Sequence, residues 1–103
     1  MITHEAFFGD AAQRFCLTDD MIAELERLAG VGIGALYLRL VSSTFNGADL
    51  VQIIRLGLIG GGMNPAAAMQ LVETYARNRP MAEVFPLALD ILDARWSGVQ
   101  VAA

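Results

Sequence analysis

The chain contains no lysine, one cysteine and one histidine, and these shortages exclude several classes of function. Its seven cations are all arginines, and eleven Asp and Glu residues give a net charge of -4. Because phosphate backbones are bound by clustered positive charge, this composition argues against a nucleic-acid partner. Cys16 alone can form neither an intramolecular disulfide nor a multi-cysteine zinc site. We therefore expect a protein without a metal, a cofactor or catalytic activity.

The sequence also lacks an uninterrupted apolar segment that could cross a membrane. The longest uncharged run lies between Arg55 and Glu73, and it contains Gly60-Gly61-Gly62 and Asn64-Pro65, which stop a helix. The first four residues carry no cationic leader. We therefore expect a cytoplasmic protein that does not contact a membrane. With 103 residues, of which 55% are hydrophobic and 17% charged, the chain suffices for one folded domain.

The first eighteen residues have the pattern of a β-hairpin. Two apolar segments, Ala6-Phe7-Phe8 and residues 13–17, flank Gly9-Asp10, and glycine permits the positive φ that a tight turn requires. Phe15 and Leu17 fall on one face of the second segment. An isolated hairpin is marginally stable in water, so we expect this one to pack on the rest of the chain.

After Thr18 the apolar residues recur at three- and four-residue intervals, which predicts short helices. Thr18 or Asp19 is expected to cap the first helix, Gly30 to end it, and Asn64-Pro65 to start the fourth. In each of the first four predicted helices, these apolar residues form a stripe along one face. The stripes are Met21, Leu25 and Leu28; Ile33, Leu36, Tyr37, Leu40 and Val41; Leu50, Ile53, Ile54, Gly57 and Leu58; and Ala68, Leu71, Val72, Tyr75 and Ala76.

The last predicted helix is apolar around most of its circumference, with Pro86 either kinking it or marking its first turn. Together the patterns predict an α+β fold, with an N-terminal β-hairpin followed by a bundle of four or five short α-helices. We expect one domain over residues 1–103, with the hairpin in 1–18, the helical bundle in 19–98 and a tail in 99–103.

Two groups of residues could support catalysis, and each has a simpler interpretation. His4 and Cys16 could approach each other across the hairpin as a base and a thiolate, but no third orienting group is evident. Asp90 and Asp93 share a helix face, which is typical of a solvated surface as well as of paired carboxylates. Gly60-Gly61-Gly62 lacks the lysine and hydroxyl of a phosphate-binding loop, so it is interpreted as a connector.

A helix-turn-helix is the DNA-binding alternative, in which Gly30-Val31-Gly32 forms the turn and Tyr37 and Arg39 contact bases. The second helix of this pair is otherwise apolar, whereas base readout requires several Arg, Lys, Asn or Gln side chains. An ordinary helical corner explains the pattern more simply.

Surplus apolar residues indicate a surface for a protein partner. Phe7 and Phe8 are adjacent, so on a strand they point to opposite faces and one core cannot bury both. The last helix also has more apolar side chains than one face can bury. The predicted partner-binding residues are Phe7, Phe8, Val84, Phe85 and Trp96.

Several blocks along the chain resemble a family of small phage-type tail proteins encoded by bacterial gene transfer agents. The resemblance extends over residues 4–97 and rests on the order of the blocks more than on any one of them. The blocks are HEAFFGD at residues 4–10, GIGAL at 32–36, IRLGLIGGG at 54–62, Arg79-Pro80, PLAL at 86–89 and ARW at 94–96.

This resemblance implies a role in tail morphogenesis and no catalytic residues. Such proteins are described as tail assembly chaperones, which shield the tape-measure protein while tube subunits polymerise around it, or as tail tube components. We therefore expect a non-enzymatic chaperone, with a structural tail component as the alternative. The resemblance implies the tape-measure protein as a partner, with the tail tube protein and further copies of the chain in a homo-oligomer as additional candidates. A chaperone would reside in the host cytoplasm and a structural component in the virion.

Overall fold

The computed structural model describes residues 1–99 and confirms the predicted α+β fold: a hairpin followed by five helices. Residues 100–103, most of the predicted tail, lie outside the described residues. The elements are β1 (Thr3–Phe8), β2 (Ala11–Cys16), α1 (Asp19–Ala29), α2 (Ile33–Val41), α3 (Gly47–Gly60), α4 (Pro65–Tyr75) and α5 (Met81–Ser97).

The hairpin turns at Gly9-Asp10 and pairs β1 with β2 in antiparallel register. Gly9 has a φ of 74° and Asp10 has a negative φ, which is the pattern of a type II′ turn. Side chains alternate between two faces, so Phe8 and Phe15 are buried against the helices while Phe7 faces outward. The predicted hairpin is therefore confirmed, with Phe15 and Leu17 both in the core.

Helix α3 is the central element of the core. It packs against β2, α1, α4 and α5. All members of its predicted stripe are buried. A helix that contacts four other elements needs apolar residues on several faces, and six of the seven buried positions of α3 are apolar, the exception being Asp49.

The predicted helix signals act as expected. The Thr18 hydroxyl accepts a hydrogen bond from the amide of Met21 at 3.3 Å and caps α1. Gly30 ends α1 in the left-handed region, with a φ of 76°. The Asn64 side chain accepts a hydrogen bond from the amide of Ala66 at 2.8 Å, and Pro65 is the first residue of α4.

Two residues of the predicted helical faces are not buried as expected, and one of the two alternatives for Pro86 is excluded. Leu28 and Val41 are exposed, because α1 packs through Met21, Ile22, Leu25 and Ala29 and because Val41 is the last residue of α2. Pro86 does not mark the first turn of the last helix, since α5 already begins at Met81, after Pro80. Pro86 lies inside α5, where its missing N–H forgoes one helical hydrogen bond.

The end of α3 lies against the outer edge of β2, and this approach requires glycine. A β-carbon at Gly60 would overlap the carbonyl oxygen of Cys16, and one at Gly61 would overlap the carbonyl oxygen of Arg14. The connector predicted at Gly60-Gly61-Gly62 is thus a contact between the backbones of α3 and β2. This contact fixes the hairpin on the helical bundle.

Replacing Gly60 by alanine is expected to lower the free energy of unfolding by about 2 kcal/mol, because the backbone of β2 must move away from the new methyl group. The matched control is Gly34→Ala, because Gly34 is exposed in α2 and, apart from its chain neighbours and the adjacent backbone of its own helix, no atom lies within 4 Å of an added β-carbon. Alanine there should raise the free energy of unfolding by up to about 1 kcal/mol. Urea unfolding measures the free energy of unfolding of both variants. Equal changes at Gly60 and Gly34 would contradict the close approach of α3 to β2.

Candidate partner-binding surface

The two adjacent phenylalanines of β1 have different environments. Phe8 is 8% exposed and packs edge-to-face on Phe15 and Tyr75. Phe7 is 72% exposed on the outer face of the hairpin. The prediction that one core cannot bury both phenylalanines is confirmed. Of the two, Phe7 is the side chain that a partner could contact.

Grooves surround the first half of α5. One groove, of about 400 Å³, lies between α3 and the loop before α5, with Leu50, Val84 and Met81 among its apolar residues and Arg77 and Arg79 among its polar ones. We call this depression the α3–α5 groove. A second pocket, of about 220 Å³, adjoins it through Arg79 and Val84, which line both, and reaches Phe7 and Phe8.

A third pocket, of about 260 Å³, lies on the opposite side of α5 and is formed mainly by Phe45, Met81 and Phe85. The ring of Phe85 stacks on that of Phe45, with centroids 5.1 Å apart, and both rings are half-buried. Val84 points into the core and is 5% exposed. Four of the five predicted contact residues, Phe7, Phe8, Val84 and Phe85, thus line grooves at the same end of α5, although Phe8 and Val84 are mostly buried within the fold.

Trp96, the fifth predicted residue, lies at the other end of α5. Its indole is 55% exposed and stacks on the ring of Tyr37, with centroids 4.6 Å apart and planes 7° from parallel. The Tyr37 hydroxyl donates a hydrogen bond of 2.6 Å to the carboxylate of Asp93. One face of the indole is therefore supported by Tyr37, in an arrangement typical of aromatic contact residues in protein interfaces.

The residues proposed for DNA binding are engaged inside the fold. Tyr37 is held by Asp93 and Trp96, as described above. Arg39 makes an ion pair of 3.2 Å with Asp49, a buried carboxylate that also accepts a hydrogen bond from the amide of Asn46 at the start of α3. Helix α2 therefore uses its two polar contact candidates to join α3 and α5.

Of the residues considered for catalysis, His4, Asp90 and Asp93 line one pocket, and Cys16 is not among its lining residues. His4 and Cys16 lie on opposite faces of the hairpin, because they belong to adjacent, alternating pairs of the register. Asp90 is 4.0 Å from the imidazole of His4, and Asp93 binds Tyr37. Among residues 1–99, no group of three or more His, Cys, Asp or Glu side chains has the geometry to hold a metal ion.

None of the described helices has the length and apolar character needed to cross a membrane. Sequence reasoning missed the contributions of Phe45 and Met81 to the grooves around α5. The position of Phe45 in a loop gives no periodic signal, and Met81 directly follows Pro80, a residue type that interrupts helices. Neither residue could be placed beside α5 before the loop and helix boundaries were known.

The chain is similar to a family of phage tail proteins over nearly its whole length. The family model described as "Phage tail tube protein, GTA-gp10" matches residues 1–98. No curated protein and no solved structure matches the chain. The resemblance to tail proteins of gene transfer agents is thereby confirmed.

The hydrogen bond to Asp93 raises the pKa of Tyr37 above its usual value of 10.0, with smaller contributions from burial and from the charge of the carboxylate. Because the phenol is held protonated in the folded state, this stabilisation is complete below pH 10 and is lost as the pH rises through the folded-state pKa. Replacing Asp93 by asparagine should lower the pKa of Tyr37, as measured by tyrosinate absorbance. In Tyr37→Phe, the part of the tyrosinate absorbance that appears at the highest pH should vanish. An unchanged tyrosinate titration in Asp93→Asn would contradict the hydrogen bond to Asp93 as the cause of the raised pKa.

Proposed function

The chain belongs to this family of phage tail proteins, and from that membership we propose that it is a non-enzymatic structural component of the tail, built in through apolar contacts with other tail proteins. The family description, a tail tube protein, supports this function. A tube is built from repeated subunits, so the same proposal includes contacts between copies of this chain and residence in the virion.

The observation that carries the proposal is the exposure of aromatic side chains on a chain whose core is already complete. Phe15, Leu17, Ile53, Ile54 and Leu58 are fully buried, whereas Phe7 and Trp96 remain largely exposed. Buried aromatic anchors contribute most of the binding energy in many protein interfaces. The exposed aromatic residues therefore favour a protein that is completed by partners.

A tape-measure chaperone is the second candidate, and the α3–α5 groove favours it. The groove combines apolar side chains from α3 and α5 with two arginines at its margin, a lining that suits the apolar face of an amphipathic helix. A chaperone acting in this way would bind the tape-measure protein in the host cytoplasm and leave before the particle is complete.

Mass spectrometry of purified particles separates the two candidates. A structural component is expected in the particles at a stoichiometry comparable to that of other tube subunits. A chaperone is expected in the producing cells and not in the particles, and its co-expression should raise the soluble yield of the tape-measure protein. Absence of the chain from intact particles would overturn the structural proposal.

Replacing Phe7 by serine is expected to reduce incorporation of the chain into particles, because Phe7 is exposed in the monomer and available for a partner. Its stability should change little, since Phe7 lies outside the core. Leu28→Ser is the matched control, because Leu28 is also apolar and exposed but lies on α1, which contributes no residue to the grooves around α5. Quantitative mass spectrometry of particles measures both variants, and equal incorporation of Phe7→Ser and the wild type would contradict the role of Phe7.

A further inference from the structure

We propose that the free edge of β1 binds an extended segment of another tail protein, one that carries lysine or arginine at alternate positions, by adding it to the hairpin as a third strand. This inference rests on the proposed function, because it assumes a tail-protein partner. It adds the mode of recognition and the chemistry of the bound segment.

The two edges of the hairpin are not equivalent. The carbonyl groups of Arg14 and Cys16 face the end of α3, and that edge is closed by the glycines described above. In an antiparallel pair, residues opposite each other both point their backbone groups inward or both point them outward. Glu5 and Thr3, the register partners of Arg14 and Cys16, therefore direct their backbone groups away from β2.

The outward groups of β1 are available for pairing. By the same alternation, Thr3, Glu5 and Phe7 present N–H and C=O groups along the edge of β1. Within residues 1–99, the amide of Val99 donates a hydrogen bond of 2.6 Å to the carbonyl of Met1, ahead of β1, and no backbone hydrogen bond from outside the hairpin reaches Thr3, Glu5 or Phe7. Glu5 and Phe7 are also exposed. A strand edge of this kind is a template for an added strand.

The surroundings of the edge favour a basic segment. Helix α5 runs beside β1, and residues from both elements line pockets near each end of the strand: Asp90 and Asp93 with His4 at one end, and Glu83 with Phe7 at the other. Asp90 is 59% exposed, and its neighbour His4 is a cation only when protonated. Among these residues and Glu5, four carboxylates face two arginines: Arg79, which pairs with Glu83, and Arg14, which lies opposite Glu5 in the hairpin register.

The spacing suits alternate basic residues. Glu83 and Asp90 are seven residues apart on α5, which corresponds to about 10.5 Å. Alternate residues of a strand lie about 7 Å apart on one face. Two long cationic side chains on the face toward α5 can therefore reach both carboxylates. The residues between them would lie on the outer face, where Phe7 offers an apolar contact.

The test measures binding of a fluorescein-labelled peptide of alternating lysine and valine to the full chain by fluorescence anisotropy. We expect saturable binding that weakens with salt, and weak or no binding of the matched peptide in which glutamate replaces lysine. Equal affinity for both peptides would overturn the proposal. The peptide assay contains no particles. A failure to bind the peptide would therefore leave the proposed function untouched, because that function is tested by the composition of purified particles.

Two variants separate backbone pairing from charge. Glu5→Pro removes an outward N–H, which an edge strand tolerates, whereas Glu5→Ala removes the carboxylate and keeps that N–H. The proline variant should bind the lysine–valine peptide about tenfold more weakly than the alanine variant, as the loss of one backbone hydrogen bond implies. Circular dichroism verifies that both variants are folded.

Asp90→Asn should weaken binding and reduce its salt dependence. Equal binding by folded Glu5→Pro and Glu5→Ala would overturn the strand pairing. If the edge of β1 instead pairs with a second copy of the chain, sedimentation will show a dimer. Glu5→Pro should abolish this dimer, and the lysine–valine peptide should not displace the second copy. That result would overturn the proposal of a basic partner.

Discussion

The contact on which the rest of this structure depends is the approach of α3 to the edge of β2. Two backbones can lie this close only where side chains are absent, and Gly60 and Gly61 meet that requirement beside the carbonyl groups of Cys16 and Arg14. The contact places the hairpin on the central helix, which directs Phe8 and Phe15 into the core. It also closes one edge of the sheet, so only β1 can accept another strand.

Much of the fold was predictable because its signals are local. The hairpin follows from Gly9-Asp10 between apolar segments, and Thr18, Gly30 and Asn64-Pro65 mark helix boundaries that the structure confirms. Errors arose where tertiary packing decides. Leu28 fits the stripe of α1 but faces away from α3, and the start of α5 at Met81 became visible only in the folded chain.

The candidate site was less predictable than the fold. Adjacent phenylalanines on a strand must point apart, so the sequence indicated that one core could not bury both, and the structure shows that Phe7 is the exposed one. The clustering of Phe7 and Phe85 around one end of α5, and the contributions of Phe45 and Met81, depend on contacts distant in sequence. The same holds for the closed and open edges of the hairpin, since no local pattern reports which strand α3 will cover.

Membership of a phage tail family and an open strand edge together support the proposal that neighbouring tail proteins complete this chain. The most direct measurement is amide hydrogen exchange of the chain, free and in complex with the alternating lysine–valine peptide. The account predicts that the amides of Glu5 and Phe7 exchange rapidly in the free chain and become protected in the complex. Protection confined to other surfaces, with these amides still exchanging rapidly, would contradict it.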